Sequence, residues 1–234
     1  MAWIEHDYTN SDALVIALSA QLRDRCGHAL AQRGHAMLAL AGGRTPFPIY
    51  RALAATALDW TRVVVMPGDD RCVPLTHPAS NAAALREAFA AAEGLRIESL
   101  TTADGDPDAS LAHARSMLAA HPEAFDAVVL GMGEDAHTAS LFPGADALAE
   151  AMANDAREDA FLLVPKPLPP EAPFPRITLG LARLLRARSL HLVVTGARKR
   201  DVLRAAQTAH DPLRAPVSAL LHASGAVVHL HWSP

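Results

Sequence analysis

The chain reads as an α/β protein built on a parallel or mixed sheet with helices on both faces. Three observations carry that reading. Short apolar runs such as Ala36–Ala41, Val63–Met66, Ala127–Leu130 and Leu190–Val194 are bounded by glycine or proline, as buried parallel strands are. Segments with an approximate helical period alternate with these runs along the chain. Finally, the glycines Gly42, Gly68, Gly131 and Gly196 each follow a run at its carboxyl end. Right-handed crossovers bring those ends to one edge of the sheet, where open α/β folds bind ligands.

In chain order, Ser11 to Arg33 has apolar residues at Leu14, Ile16, Leu18, Leu22, Cys26 and Leu30 with charges between them, which predicts a helix capped by Asn10 or Ser11. Ala36 to Ala41 is a strand, and Gly42-Gly43-Arg44-Thr45-Pro46 follows. Thr45 is placed to cap a helix that begins at Pro46. Glycines before a helix start expose backbone N–H groups to an anion, and Arg44 adds a forked cation suited to phosphate oxygens. An ordinary tight connection would look the same in isolation. Arg62 to Pro67 is the next strand, running into Gly68-Asp69-Asp70-Arg71. Adjacent carboxylates followed by an arginine at a strand end suit acid/base or oxyanion work, or else form a solvated turn. Ser80 caps an Ala-rich helix to Ala92, Arg96 to Leu100 is a short strand, and Asp106-Pro107 opens a helix to about Ala120.

The central stretch runs from Asp126 to Gly144. A buried strand ends in Gly131 and Gly133, and Asp135 and His137 follow in a loop that must stay beside it. An acid and a base at a strand end are where chemistry is expected. Gly131-x-Gly133-x-x-Ala136 also matches a loose dinucleotide fingerprint, but Glu134 and Asp135 place negative charge where pyrophosphate would sit and Pro143 allows no long helix. Further on, Phe161 to Val164 is a strand. Pro165 to Pro175 contains six prolines in eleven residues and reads as a rigid covering loop. Arg176 to Gly180, a helix from Leu181 to Arg186, a strand from Ser189 to Thr195, a helix from Ala197 to Ala209 with Lys199 in its first turn, a short helix from Pro216 to Leu221 and a strand from Ala226 to Trp232 complete the pattern. No repeat, linker or domain boundary interrupts it, so one domain over residues 1–234 is expected.

Composition narrows the function classes. Over 234 residues, 50% are apolar and the net charge is −4, which favours neither disorder nor a nucleic-acid partner. No apolar run is long enough to span a membrane, and the stretch from Met1 to Asp7 lacks a signal pattern, so a cytoplasmic protein is expected. Cys26 and Cys72 are too few for a disulfide framework or a zinc site. The only lysines are Lys166 and Lys199.

Five segments, Ala41-Gly-Gly-Arg-Thr-Pro46, Gly68-Asp-Asp-Arg-Cys-Val73 with Ser80-Asn81, Gly131 to Pro143, Arg176-Ile-Thr-Leu179 and Gly196-Ala-Arg-Lys199, resemble in order and spacing those of the 6-phosphogluconolactonases. The resemblance spans nearly the whole chain, and Asp-x-His-Thr-Ala-Ser-Leu-Phe-Pro is its most specific part. It implies a three-layer α/β/α Rossmann-like sandwich with a mostly parallel sheet, shared with glucosamine-6-phosphate deaminase and ribose-5-phosphate isomerase. It also implies hydrolysis of 6-phospho-D-glucono-1,5-lactone, with His137 as general base, Asp135 orienting it or the water, and Arg71 stabilising the oxyanion. Substrate-binding residues implied in the same way are Gly42, Gly43, Arg44, Thr45, Asp69, Asn81, Gly133, Arg176 and Lys199. No metal or cofactor is implied, because the lactone is an activated ester. The expected partner is a small sugar-phosphate lactone, with no nucleic acid or membrane, and the expected state is a monomer.

Two positions depart from the family pattern. Ala136 replaces a glycine between Asp135 and His137, and Asp70 replaces a glutamate. Two alternatives are weighed against the lactonase. Deaminases of this fold carry a glutamate five residues after the histidine, where this chain has Phe142. A non-catalytic sugar-phosphate sensor would be expected to lose Asp135 or His137, and both are present.

Overall fold

The computed structural model describes residues 3–234, so the first two residues of the N-terminal stretch discussed above lie outside it. The described residues form ten strands and eight helices: β1 (Trp3–Asp7), α1 (Ser11–Arg33), β2 (Ala36–Leu40), α2 (Phe47–Ala54), β3 (Val63–Pro67), β4 (Asp69–Arg71), α3 (Asn81–Ala88), β5 (Arg96–Ile97), α4 (Pro107–Ala119), β6 (Ala127–Gly131), α5 (Leu148–Ala151), β7 (Ala160–Leu163), β8 (Arg176–Leu179), α6 (Leu181–Leu185), β9 (Leu190–Thr195), α7 (Ala197–Thr208), α8 (Val217–Leu221) and β10 (Val228–Ser233). A single 3₁₀ turn, Trp60–Arg62, leads into β3. No helix among the described residues is long and apolar enough to cross a membrane.

Seven strands form a parallel sheet in the order β1-β10-β9-β6-β2-β3-β5. Its central strands are apolar throughout because both faces are covered. Leu38, Leu40, Val63, Val65, Ala127 and Val129 face one core with α1, α2 and α3, whereas Met37, Ala39, Met66, Val128 and Leu130 face the other with α4, α6 and α8. From β2 the chain moves to β3 and β5 on one side. On the other it moves from β6 to β9 and β10. The connections therefore diverge between β2 and β6, and a crevice opens at their carboxyl ends.

The sequence reading assigned no element to Arg176–Leu179, which is β8, or to Leu148–Ala151, which is α5, and it missed two further features. β1 pairs in parallel with β10 at the sheet edge, but its residues Trp-Ile-Glu-His-Asp are mostly solvent-facing and lack the alternation that marks a strand. Asp69–Arg71, expected as a loop, is β4 of a second, antiparallel sheet in the order β4-β8-β7. Three residues with two aspartates carry no strand propensity; the pairing of Asp69 with Thr178 and Arg71 with Arg176 imposes it. Helix starts were mostly legible. Asn10, Ser80 and Asp106 cap α1, α3 and α4 by accepting from Ala13, Ala83 and Ala109 N–H groups. Thr45 is the exception: α2 starts at Phe47 with Pro46 as its capping residue and no side-chain cap.

A ladder of histidines joins β1, β10 and β9. His6 stacks on His231 with centroids 4.7 Å apart and on His229 at 5.4 Å. Tyr8 Oη, His231, His191 and Ser189 Oγ form a hydrogen-bonded chain with links of 2.9, 3.0 and 2.8 Å. Burial, reinforced by the neighbouring imidazoles and, for His191 and His229, by Arg25 of α1, pulls the pKa of His191 well down, that of His231 to about 3, and that of His229 down as well. A histidine held neutral in the fold contributes stability that is present above the unfolded pKa near 6.5 and lost as pH falls toward the folded value. The urea midpoint is therefore expected to fall steeply as pH drops from about 6.5 to 4, each such histidine contributing up to about 1.4 kcal/mol per pH unit. Replacing His231 by Gln should flatten that limb.

Candidate active site

The crevice at the β2/β6 divergence is a cavity of about 300 Å³. Four strand ends feed it: the loop after β2, β4 just beyond β3, the loop after β6, and the β9–α7 junction. Eleven of the residues singled out from sequence line it, namely Gly42, Gly43, Arg44, Thr45, Asp69, Arg71, Asn81, Gly133, His137, Arg176 and Lys199. Asp135 does not reach the wall; it stands behind His137.

His137 and Asp135 form a close pair, Nδ1 to Oδ1 2.5 Å. The same carboxylate oxygen accepts the His137 backbone N–H at 3.2 Å. Burial pushes the Asp135 carboxyl up, but its hydrogen bond to His137 and the attraction between their charges outweigh this, leaving it below its ordinary value. An ionised Asp135 can only accept, so it fixes the proton on Nδ1 and leaves Nε2 with its lone pair. The pair lies flat against the backbone at Gly133, where an added Cβ would stand 2.2 Å from His137 Nδ1 and 2.4 Å from Asp135 Oδ1. Phe142 closes the other contact, its ring 4.0 Å from the imidazole and nearly parallel to it.

Ala136, between the two, has φ +62°. An L-residue there is strained by about 1 kcal/mol. Ala136→Gly should raise stability by about 0.5–1 kcal/mol and leave turnover unchanged, as read by urea unfolding and initial rates. An unchanged or lower midpoint would mean that the buried methyl is worth more than the strain.

Arg71 is held by its Nη1, which donates to Ala79 O at 2.9 Å and to Asn81 Oδ1 at 2.8 Å; its buried Nε has no partner among the described residues. Asn81 in turn donates from Nδ2 to Asp69 O at 2.7 Å. It packs so closely on Gly42 that a Cβ there would meet its Oδ1 at 2.0 Å. Asp70, for which the sequence left acid/base work or a solvated turn open, is fully buried and ties β4 to the start of α3. It accepts from the N–H groups of Arg71, Asn81 and Ala82 at 2.8, 2.6 and 2.9 Å.

Arg176 is buried, donates to Ala172 O at 3.0 Å and lies 4.8 Å from the Phe142 ring centre. Its guanidinium thereby fastens the proline-rich loop to the cavity wall. Burial pulls its pKa down, opposed by the nearby Asp69 charge. Arg44 and Lys199 come from opposite sides, after β2 and in the first turn of α7. Between them Thr45 Oγ1 lies 3.5 Å from Thr195 Oγ1. Sequence reasoning assigned no role to Thr195, Ser140 or Phe142, which also line the cavity. A threonine at a strand end gives no signal by itself, and Ser140 and Phe142 were visible only as parts of a motif.

The arrangement places an oriented base beside an arginine with donor capacity to spare, next to a cationic cradle of glycines, hydroxyls, Arg44 and Lys199. It suits attack by water on a carbonyl in a molecule anchored by a phosphate. A family model described as glucosamine-6-phosphate isomerases/6-phosphogluconolactonase matches residues 9–232. A 6-phosphogluconolactonase of Mesorhizobium japonicum is 39% identical over 94% of this chain and 91% of its own length, and one of Pseudomonas aeruginosa is 35% identical over 93% and 89%. The crystal structure of a 6-phosphogluconolactonase from Shewanella baltica matches with a TM-score of 0.91 at 29% identity, covering 99% of this chain and 97% of that one. A monomeric glucosamine-6-phosphate deaminase shares the fold, with a TM-score of 0.78 at 19% identity. The chain therefore belongs to the glucosamine-6-phosphate isomerase/6-phosphogluconolactonase family.

Proposed function

We propose that the protein hydrolyses 6-phospho-D-glucono-1,5-lactone to 6-phosphogluconate, the second step of the oxidative pentose phosphate pathway. The observation that carries this reading is the His137–Asp135 pair set in one cavity with a phosphate-suited cradle. The 6-phosphate sits among Gly42, Gly43, Arg44, Thr45 and Lys199. Water attacks C1 as His137 Nε2 takes its proton, and the imidazolium that forms is stabilised by Asp135. Arg71 donates to the developing oxyanion. Collapse breaks the bond from C1 to the ring oxygen, and His137 returns its proton to that oxygen. The product acid then ionises, so one proton appears in solution per lactone opened. The enzyme acts as a monomer in the cytoplasm on a free small molecule and needs no metal or cofactor.

Phe142 favours this reading over deamination. The position where deaminases place a carboxylate holds an apolar ring stacked on the histidine, which gives the imidazole no acidic partner on that side. Proton release on adding freshly made lactone should exceed the spontaneous rate many-fold, while glucosamine 6-phosphate should yield no ammonium. Proton release equal to the enzyme-free control would overturn the assignment.

A further inference from the structure

The imidazole of His137 is clamped. Asp135 holds Nδ1, and the backbone at Gly133 lies so close that an added Cβ would stand 2.3 Å from Cε1. The Phe142 ring stacks on it with 4.0 Å between centroids and 24° between planes. Phe142 is itself buried, and the chain folds back to bring it there. The Leu141 N–H donates to Thr138 O at 3.0 Å, Thr138 Oγ1 to Gly131 O at 2.9 Å, and the Ala145 N–H to Phe142 O at 3.2 Å. The same ring already carries a cation, the Arg176 guanidinium 4.8 Å from its centre. An aliphatic side chain would fill this space as well. What only an aromatic one adds is a flat face with a negative quadrupole.

That face matters when His137 takes a proton. An imidazolium joins a cavity wall that already holds Arg44, Arg71, Arg176 and Lys199 against Asp69, with Asp135 behind it, and repulsion among the cations opposes proton uptake. We propose that Phe142 is a positioning residue for the base: its ring fixes the imidazole plane with Nε2 free, and supports the imidazolium by a cation–π contact. The support is differential. A neutral imidazole gains only stacking from the ring, whereas the imidazolium is also attracted to its quadrupole, so the contact strengthens as the proton moves from water to Nε2.

The inference rests on the lactonase reading for its effect on turnover, but the effect of the ring on the imidazole is read without substrate, so the two fail separately. Phe142 is replaced site-specifically by 3,5-difluoro- and 3,4,5-trifluorophenylalanine, which weaken the π face at nearly constant shape, and by Leu and Tyr. The titration midpoint of the His137 imidazole is followed by NMR, with His137→Gln to assign its signal, and kcat and KM for the lactone are measured alongside. The midpoint should move to lower pH stepwise with fluorination, by about half to one unit in Phe142→Leu, and stay at the wild-type value in Phe142→Tyr. In Phe142→Leu kcat should fall about 3- to 30-fold with KM little changed, and the acid limb of kcat/KM should move with the midpoint. A side chain that merely fills space would leave the fluorinated series at the wild-type midpoint, and that result overturns the inference even where Phe142→Leu folds poorly. Failure of wild type to open the lactone overturns the lactonase reading and the role in turnover with it, while the titration still reads the hold of the ring on the imidazole.

Discussion

Replacing His137 by Ala is expected to lower kcat for lactone opening by about 10²- to 10⁴-fold, the usual contribution of a positioned general base. The measurement is proton release corrected for spontaneous hydrolysis. In the proposed mechanism the imidazole acts on water and the cradle of Arg44, Thr45 and Lys199 holds the phosphate, so the loss should fall on kcat with little change in KM. Asp135→Asn should give a smaller loss of the same kind. An amide at the 2.5 Å contact can offer its NH₂ to Nδ1, which favours the tautomer that puts the proton on Nε2, where the base is needed. If His137→Ala turned over at the wild-type rate, water activation would have to come from elsewhere in the cavity.

The second large effect is on stability. Asp70→Ala is expected to cost about 3–5 kcal/mol, because it strands three buried N–H groups at once, each worth about 1–3 kcal/mol when orphaned. The site should suffer with it, since two of those groups belong to Arg71 and Asn81. Urea unfolding followed by circular dichroism reads the loss directly. A cost under about 1 kcal/mol would mean that water enters and replaces the carboxylate. Burial, opposed by these N–H donors, pushes the Asp70 carboxyl up to about 6. A raised folded pKa gives stability that is present below the unfolded value near 4 and lost as pH rises through 6. Its pH dependence therefore opposes that of the histidine ladder, and comparing slopes in Asp70→Asn and His231→Gln separates the two.

The layered parallel architecture was legible because its signals are local. Apolar runs of four or five residues, glycine at their carboxyl ends and capping residues such as Ser80 and Asp106 all act within a few positions of where they are read. The cavity was legible for the same reason: each of its loops announced itself at a strand end, and the spacing of Asp135 and His137 already put acid beside base. The rest depends on partners far away in sequence. β4 is a strand because β8 lies beside it, β1 because β10 does, and Asp70 is buried because α3 begins 11 residues later against it. Phe142 and Ser140 reach the cavity wall only when β6, β4 and β8 meet. Ala136 was flagged from a departure in a motif, and its left-handed backbone bears out that a glycine-type conformation is required there.

The position of β10 has a consequence for how the molecule is made. It is inserted between β1 and β9, so the strand formed from residues 3–7 has no sheet to join until residues 228–233 have been synthesised. A ribosome-bound chain can close the central strands β2, β3, β6 and β9 as they emerge. β1 and the residues that complete the histidine ladder must wait for β10. The residues of β1 are therefore expected to remain accessible to nascent-chain chaperones and proteases until β10 has emerged, and to become protected in a single step with it.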